Sequence, residues 1–307
     1  MILYQCLFLF LAYIPLTQPL SLTTATNNKP HVLILPAQFL VPADYASLER
    51  TLVADHGFPS ATTTPLTRLD WLKVIPSSPA DKFIKGTLDP KQTLKWYYGK
   101  IETQLSQILR EHPPDTQPDG VTKVALVGHS IGGWVARSFI GGLYSADTAV
   151  GSLLKSRKSL RITSLTTLGS PMKTSPSALV DQTRGLLKFI EEEDSCSPAA
   201  MGIPISNIAS SGIKGKIFST DLESLVAASG YWSLNGDLFS EGDGIVPVSV
   251  ASIDAPAKVL KDVKHAGSVP TPWNIFSDSK SIELSEEAFG KWYGSPSVVS
   301  EWSELIV

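Results

Sequence analysis

Residues 124–133, Val124-Ala-Leu-Val-Gly-His-Ser-Ile-Gly-Gly133, constrain this chain more than any other stretch. The apolar run has the composition of a strand covered on both faces. It leads directly into Gly128-His129-Ser130-Ile131-Gly132, a G-x-S-x-G pattern. A serine on a sharp strand-to-helix turn points its hydroxyl out of the fold, and small neighbours let strand and helix approach closely around it. Trp134–Ile140 continues with helical spacing. Alone, the five-residue pattern also describes a glycine turn with an incidental serine. Between a strand and a helix it reads as a nucleophile elbow.

The rest of the chain alternates in the same way. Strands are expected at 32–35, 61–66, 122–127, 160–168, 216–219 and 258–263, with helices near 43–56 and 90–111 and a closing helix at about 284–293. Such alternation predicts a doubly wound, mostly parallel sheet with helices on both faces. The interval 172–212 interrupts it and reads as a small cap or insertion, either over the site or packed at the periphery. Trp96-Tyr97-Tyr98 and Tyr231-Trp232 can line a pocket or belong to plain core.

A serine hydroxyl needs a base, and the base needs an acid to orient it. Of five histidines, His31 precedes the first strand, His56 sits at a helix end and His112 leads into Pro113-Pro114. His129, beside Ser130, is expected to point away from it. His265 alone comes late in the chain after a strand-like run, where an elbow serine finds its histidine in the order serine, acid, histidine. For the acid, Asp243 fits best. It lies between Gly242 and Gly244, with Ile245-Val246-Pro247 as an apolar anchor. Asp237, Glu241 and Asp221 remain rivals on spacing alone.

Gly128-His-Ser-Ile-Gly-Gly133, Leu168-Gly-Ser-Pro171 and Gly242-Asp-Gly-Ile-Val-Pro247 together resemble the lipase/esterase branch of the α/β-hydrolase superfamily. More narrowly, the chain resembles plant and algal α/β-hydrolases, often plastid-associated and sometimes labelled PGAP1-like. That likeness runs over about residues 30–305, through Asp70-Trp-Leu72, Trp96-Tyr97, Gly132–Arg137, Asp181–Leu187 and Trp292-Tyr-Gly-Ser-Pro296. It implies the α/β-hydrolase fold and a catalytic triad of Ser130, Asp243 and His265. Backbone N–H groups of Ile131 and Gln38 are then expected to form the oxyanion hole. Relatives carry Pro-Gly and an apolar residue after the first strand, whereas this chain has Pro36-Ala37-Gln38-Phe39. If the loop needs a positive φ at Ala37, the Cβ makes it costly.

Composition bounds the partners. A net charge of −3 without a basic stripe argues against nucleic acid. No Cys/His metal spacing is present, and serine chemistry of this kind needs neither metal nor cofactor. Glu191-Glu-Glu-Asp194 reads as a solvated helix end. With 307 residues, of which 43% are hydrophobic, the chain suits one large domain over 29–307. Residues 1–28, apolar from Leu3 to Leu16 and then uncharged and polar, are expected to be a signal segment. This implies the endomembrane route, ending in secretion or the plastid. Losing that segment would remove Cys6 and leave Cys196 without an internal partner, which favours a reducing compartment.

The expected activity is hydrolysis of a small-molecule or lipid ester through an acyl-enzyme, with transient contact to a membrane surface. A second class is kept beside it: a catalytically weak α/β-hydrolase-fold module that binds a ligand or a partner. The oligomeric state is not indicated by the sequence.

Overall fold

The computed structural model describes residues 29–144, 148–156, 158–178, 181–216, 222–269 and 280–307. The signal-like segment 1–28, the rival acid Asp221 and most of the strand expected at 216–219 lie outside the described residues. Lys216, which is described, is not in a strand.

Six strands form the main sheet: β1 (His31–Leu35), β2 (Ala61–Thr63), β3 (Thr122–His129), β4 (Leu160–Leu168), β5 (Ile205–Ser211) and β8 (Lys258–Lys261). They lie in the order β2-β1-β3-β4-β5-β8, with every neighbouring pair parallel. Between β5 and β8 in the chain, the short strands β6 (Ile213–Lys214) and β7 (Glu241–Gly242) pair antiparallel, with helix Leu222–Asn235 separating them in sequence. β9 (Ser268–Val269) and β10 (Ile282–Glu283) form a second antiparallel pair.

Strand side chains alternate between two helical layers, as the period of two requires. Leu33, Leu35, Val124 and Leu126 pack on one face with Tyr97, Ile101 and Leu105 of helix Lys95–Glu111 and with Trp134 and Phe139 of helix Ile131–Ile140. Val32, Ile34, Ala125 and Val127 pack on the other with Leu48 and Leu52 of helix Ala46–Ala54 and with Val298, Val299 and Trp302 of helix Pro296–Trp302. The fold is α/β, a parallel sheet wound on both faces.

Three expectations are corrected. The interval 172–212 cannot be an insertion throughout, because β5 at its end pairs with β4 and β8 inside the sheet. Only the part before it, including helix Leu186–Glu192, leaves the alternation. The last helix is Pro296–Trp302, entered through Pro296. Within 284–293 only Glu286–Phe289 is helical, because Gly290 at φ +86° ends it. Helix 90–111 is divided: Pro90–Thr93 forms a turn of its own before Lys95–Glu111.

This strand order prepares the site. From β1 the chain moves outward to β2 and then returns to the other side of β1 as β3. The carboxyl ends of β1 and β3 are therefore adjacent at a switch in direction, where open parallel sheets form a crevice.

Candidate active site

The Gly128–Gly132 elbow forms as the sequence implies. Ser130 adopts φ +54°, ψ −126° between the end of β3 and the helix that begins at Ile131. Such a conformation costs a non-glycine residue on the order of 1–3 kcal/mol and persists only where its surroundings enforce it. Here the Ser130 N–H donates to Leu168 O at 3.0 Å, and its carbonyl accepts from Gly133 N–H at 3.0 Å and Ser170 Oγ at 2.5 Å. A Cβ on Gly128 would strike the backbone of Gly132 and Gly133, and one on Gly132 would strike the Leu35 carbonyl. The two glycines are what allow β1, β3 and the helix to meet this closely.

β8 delivers His265 to the same edge. The antiparallel pairing of β7 with β6, which directly follows β5, brings Asp243 up beside the end of β5. His265 Nδ1 lies 2.8 Å from Asp243 Oδ2, and the His265 N–H donates to the Asp243 carbonyl at 2.9 Å. A carboxylate only accepts, so Nδ1 carries the proton and Nε2 is left as the basic nitrogen. Asp243 is buried, and burial by itself raises its pKa. The His265 charge, the His265 hydrogen bond and the N–H groups of Val246 and Ile245 outweigh that and hold the carboxyl below its ordinary value. Among the described residues no hydrogen bond joins Ser130 Oγ to His265. That bond is often long in ligand-free enzymes and tightens with substrate.

The rivals are engaged elsewhere. Asp237 accepts from Phe239 N–H and Ser240 Oγ in its own turn, and Glu241 accepts from Gly212 N–H at the surface. Among the other histidines, His31 stacks on His112 and His56 reaches Ser303 Oγ. His129 is fully buried, its ring 5.0 Å from that of His265 and packed among Tyr45, Trp292 and Tyr293. Cys196 is buried, and desolvation pushes its thiol up to about 11, so little thiolate exists near neutrality.

The first-strand loop differs from expectation at one residue. The positive φ falls on Phe39, at +62°, and not on Ala37. Leu40 N–H donates to Ala37 O at 3.2 Å, which makes Phe39 the third residue of a turn whose third position requires that sign. Gln38 and Ile131 sit at the ends of adjacent strands, paired through Leu35 and Gly128, and neither N–H has a hydrogen-bond partner among the described residues.

Several aromatic residues carry more than the sequence signalled. Tyr293 donates to Asp243 Oδ2 at 3.0 Å, and Tyr231 accepts from Gly244 N–H at 2.8 Å and so braces the acid loop. Tyr97 and Tyr98 are core residues, while Trp232 is partly exposed. Tyr293 stands within a segment that carried the family resemblance, which was its only trace in the sequence.

A cavity of about 360 Å³ opens by the end of β4, lined by Pro171, Thr174, Leu187 and Leu234 among others. Another of about 350 Å³, around Phe139, Ile140 and Met201, lies at the far end of the elbow helix from Ser130. A ten-residue helix spans about 15 Å, so that second cavity is remote from the serine.

Comparison with known proteins agrees with this geometry. A family model described as "Putative serine esterase (DUF676)" matches residues 100–174, the span that holds β3, the elbow and β4. Over that span the chain is similar to an esterase family, and its parallel sheet with helices on both faces is α/β-hydrolase-like. These findings support a serine hydrolase. No curated protein matches. Among solved structures, phospholipase PlaB from Legionella pneumophila is 14% identical over 90% of this chain and 62% of its own, at a TM-score of 0.43. Esterase B from Lactobacillus rhamnosis is 14% identical over 59% and 56%, at 0.30. Tomato methylketone synthase I is 14% identical over 54% and 49%, at 0.28. The chain thus spans about half to three fifths of the length of these structures.

Proposed function

We propose that this hydrolase cleaves carboxylic esters with hydrophobic acyl groups, using Ser130 as nucleophile, His265 as general base and Asp243 as the acid that orients it. The observation that carries the reading is the Asp243–His265 pair at 2.8 Å on the edge from which the strained Ser130 projects. His265 Nε2 takes the Ser130 proton as Oγ attacks the ester carbonyl. The N–H groups of Ile131 and Gln38 stabilise the oxyanion. The imidazolium then protonates the leaving alcohol, and an acyl-serine remains. Water, deprotonated by the same nitrogen, releases the acid and returns the proton to Ser130.

Two features support an apolar substrate. The cavity by the end of β4 has an apolar part formed by Pro171, Pro176, Ala178, Leu187 and Leu234, within a rim of polar and charged residues. On the other side, Leu69, Leu72 and Ile75 are exposed at 43%, 55% and 73%. Their spacing of three places them along one face of the tight turn Arg68–Lys73 and its continuation. Trp71 in that turn packs against Phe39 of the first-strand loop, which joins this face to the site and supports transient contact with a lipid surface.

Labelling with a fluorophosphonate probe tests the chemistry. The wild type should react, and Ser130→Ala and His265→Ala should not. A folded wild type that refuses the probe would favour the ligand-binding alternative.

A further inference from the structure

A chain of hydrogen bonds runs behind the site, from the first-strand loop to the loop of His265. Ala37 N–H donates to Tyr45 Oη at 2.8 Å. Tyr45 Oη lies 2.7 Å from His129 Nδ1, and His129 Nε2 lies 2.8 Å from the His265 carbonyl. Tyr45 and His129 are fully buried.

Every direction in this chain is determined. A carbonyl only accepts, so His129 Nε2 carries the proton and Nδ1 is the acceptor. Tyr45 must then donate to Nδ1 and accept from Ala37. The opposite order would leave two acceptors facing each other at His265, at a cost of about 1–3 kcal/mol for an unmet buried group. The arrangement requires a neutral His129, and burial together with the nearby His265 lowers its pKa to about 3.

The peptide between Pro36 and Ala37 is held at both ends, because Tyr97 Oη donates to Pro36 O at 3.2 Å while Ala37 N–H is bound by Tyr45. The next peptide carries the Ala37 carbonyl and the Gln38 N–H. Its carbonyl is turned inward to Leu40 N–H, so the Gln38 N–H points the opposite way. At the other end, the His265 carbonyl is tied to His129 and its N–H to Asp243 O.

We propose that Tyr45 and His129 are positioning residues that set the Gln38 N–H and the His265 imidazole in one geometry around Ser130. Neither touches substrate. They act on two separate loops, the oxyanion donor through Ala37 and the base through its own backbone. This rests on the reading of Ser130 and His265 as nucleophile and base.

The test compares Tyr45→Phe, His129→Asn and His129→Gln in the full chain, with p-nitrophenyl butyrate as substrate. Tyr45→Phe should lower kcat about 10- to 100-fold, towards the loss of one oxyanion donor, with KM within about threefold. Asn keeps an acceptor near the Nδ1 position, so His129→Asn should retain more activity than His129→Gln, which keeps only a donor near Nε2. In wild type, imidazole NMR should show His129 as the neutral Nε2–H tautomer down to about pH 4, with a slowly exchanging proton. This reading survives even if a variant fails to fold. A His129 that titrates at the ordinary value, or carries its proton on Nδ1, overturns the proposal. So does a wild-type kcat in folded Tyr45→Phe, or equal loss in the Asn and Gln variants. A wild type inert to a fluorophosphonate probe overturns the hydrolase reading itself and this role with it.

Discussion

Tyr293 donates its hydroxyl to Asp243 Oδ2 at 3.0 Å, the same oxygen that receives the His265 imidazole at 2.8 Å. The N–H groups of Ile245 and Val246 occupy Oδ1 at 3.0 and 2.7 Å. Four donors thus fill the roughly four acceptor positions of one buried carboxylate. This is how an ionised acid persists at 2% exposure. Tyr293→Phe removes one of them without changing the packing. A hydrogen bond to a charged group contributes about 1.5–3 kcal/mol, so urea denaturation should show a loss of that size. Unchanged stability would mean that the hydroxyl is not engaged with the carboxylate.

Stability should fall as the protein is acidified, for two reasons. The Asp243 pKa lies below its unfolded value, so its contribution is present above about pH 4 and lost as pH falls through the folded pKa. His129 is held neutral, lowered to about 3 from 6.5. Its contribution is complete above about pH 6.5 and declines towards pH 3, because the unfolded imidazole takes up a proton that the folded one refuses. His31, lowered to about 4 by burial and by His112, adds to the same slope. Thermal melts of Ser130→Ala between pH 7.5 and 3.5 should show a falling Tm, and His129→Gln in that background should flatten part of it. Parallel curves would contradict a neutral buried His129.

Gly132→Ala should be strongly destabilising. The new Cβ would meet the Leu35 carbonyl and carbon, which are backbone atoms of a central strand and cannot swing aside. Overpacking of this kind costs about 1–3 kcal/mol. Circular dichroism melts should show a markedly lower Tm, and any folded fraction should react slowly with a fluorophosphonate because the elbow is spread apart. A normal Tm would show that strand and helix are not in contact here.

Replacing Leu69, Leu72 and Ile75 together by serine removes apolar side chains that are already solvent-exposed. Hydrolysis of a soluble short-chain ester should stay within about twofold, since surface changes of this type rarely alter stability by more than ±0.5 kcal/mol. Sedimentation with phospholipid vesicles should drop at least severalfold. Equal sedimentation of both proteins would remove this face from the lipid contact.

Much of the architecture was legible in short windows. The apolar runs at 124–127 and 160–168, and the glycines around Ser130, act through alternation and turn sterics that need only a few neighbours. They were enough to announce a parallel sheet and an elbow. The choice of His265 as candidate base rests on chain order and on the local explanations of the other histidines. Turn chemistry read less well at Pro36–Phe39, where a shift of the positive φ by two residues, from Ala37 to Phe39, depends on which carbonyl Leu40 finds. The interval 172–212 reads as an insertion because its first part is irregular, yet β5 belongs to the sheet. Strand pairing between distant segments decides that, and no window contains both partners.

From sequence alone, then, came the serine on its elbow, the winding of the sheet and a short set of candidate acids. Only the tertiary structure sets His265 2.8 Å from Asp243, the acid the sequence already favoured, and only there do Tyr45, His129 and Tyr293 enter hydrogen bonds around these two residues. The reason is physical. Periodicity and backbone strain are set by near neighbours, whereas a buried hydrogen bond between residues 84 or 136 positions apart exists only once the sheet has brought them together.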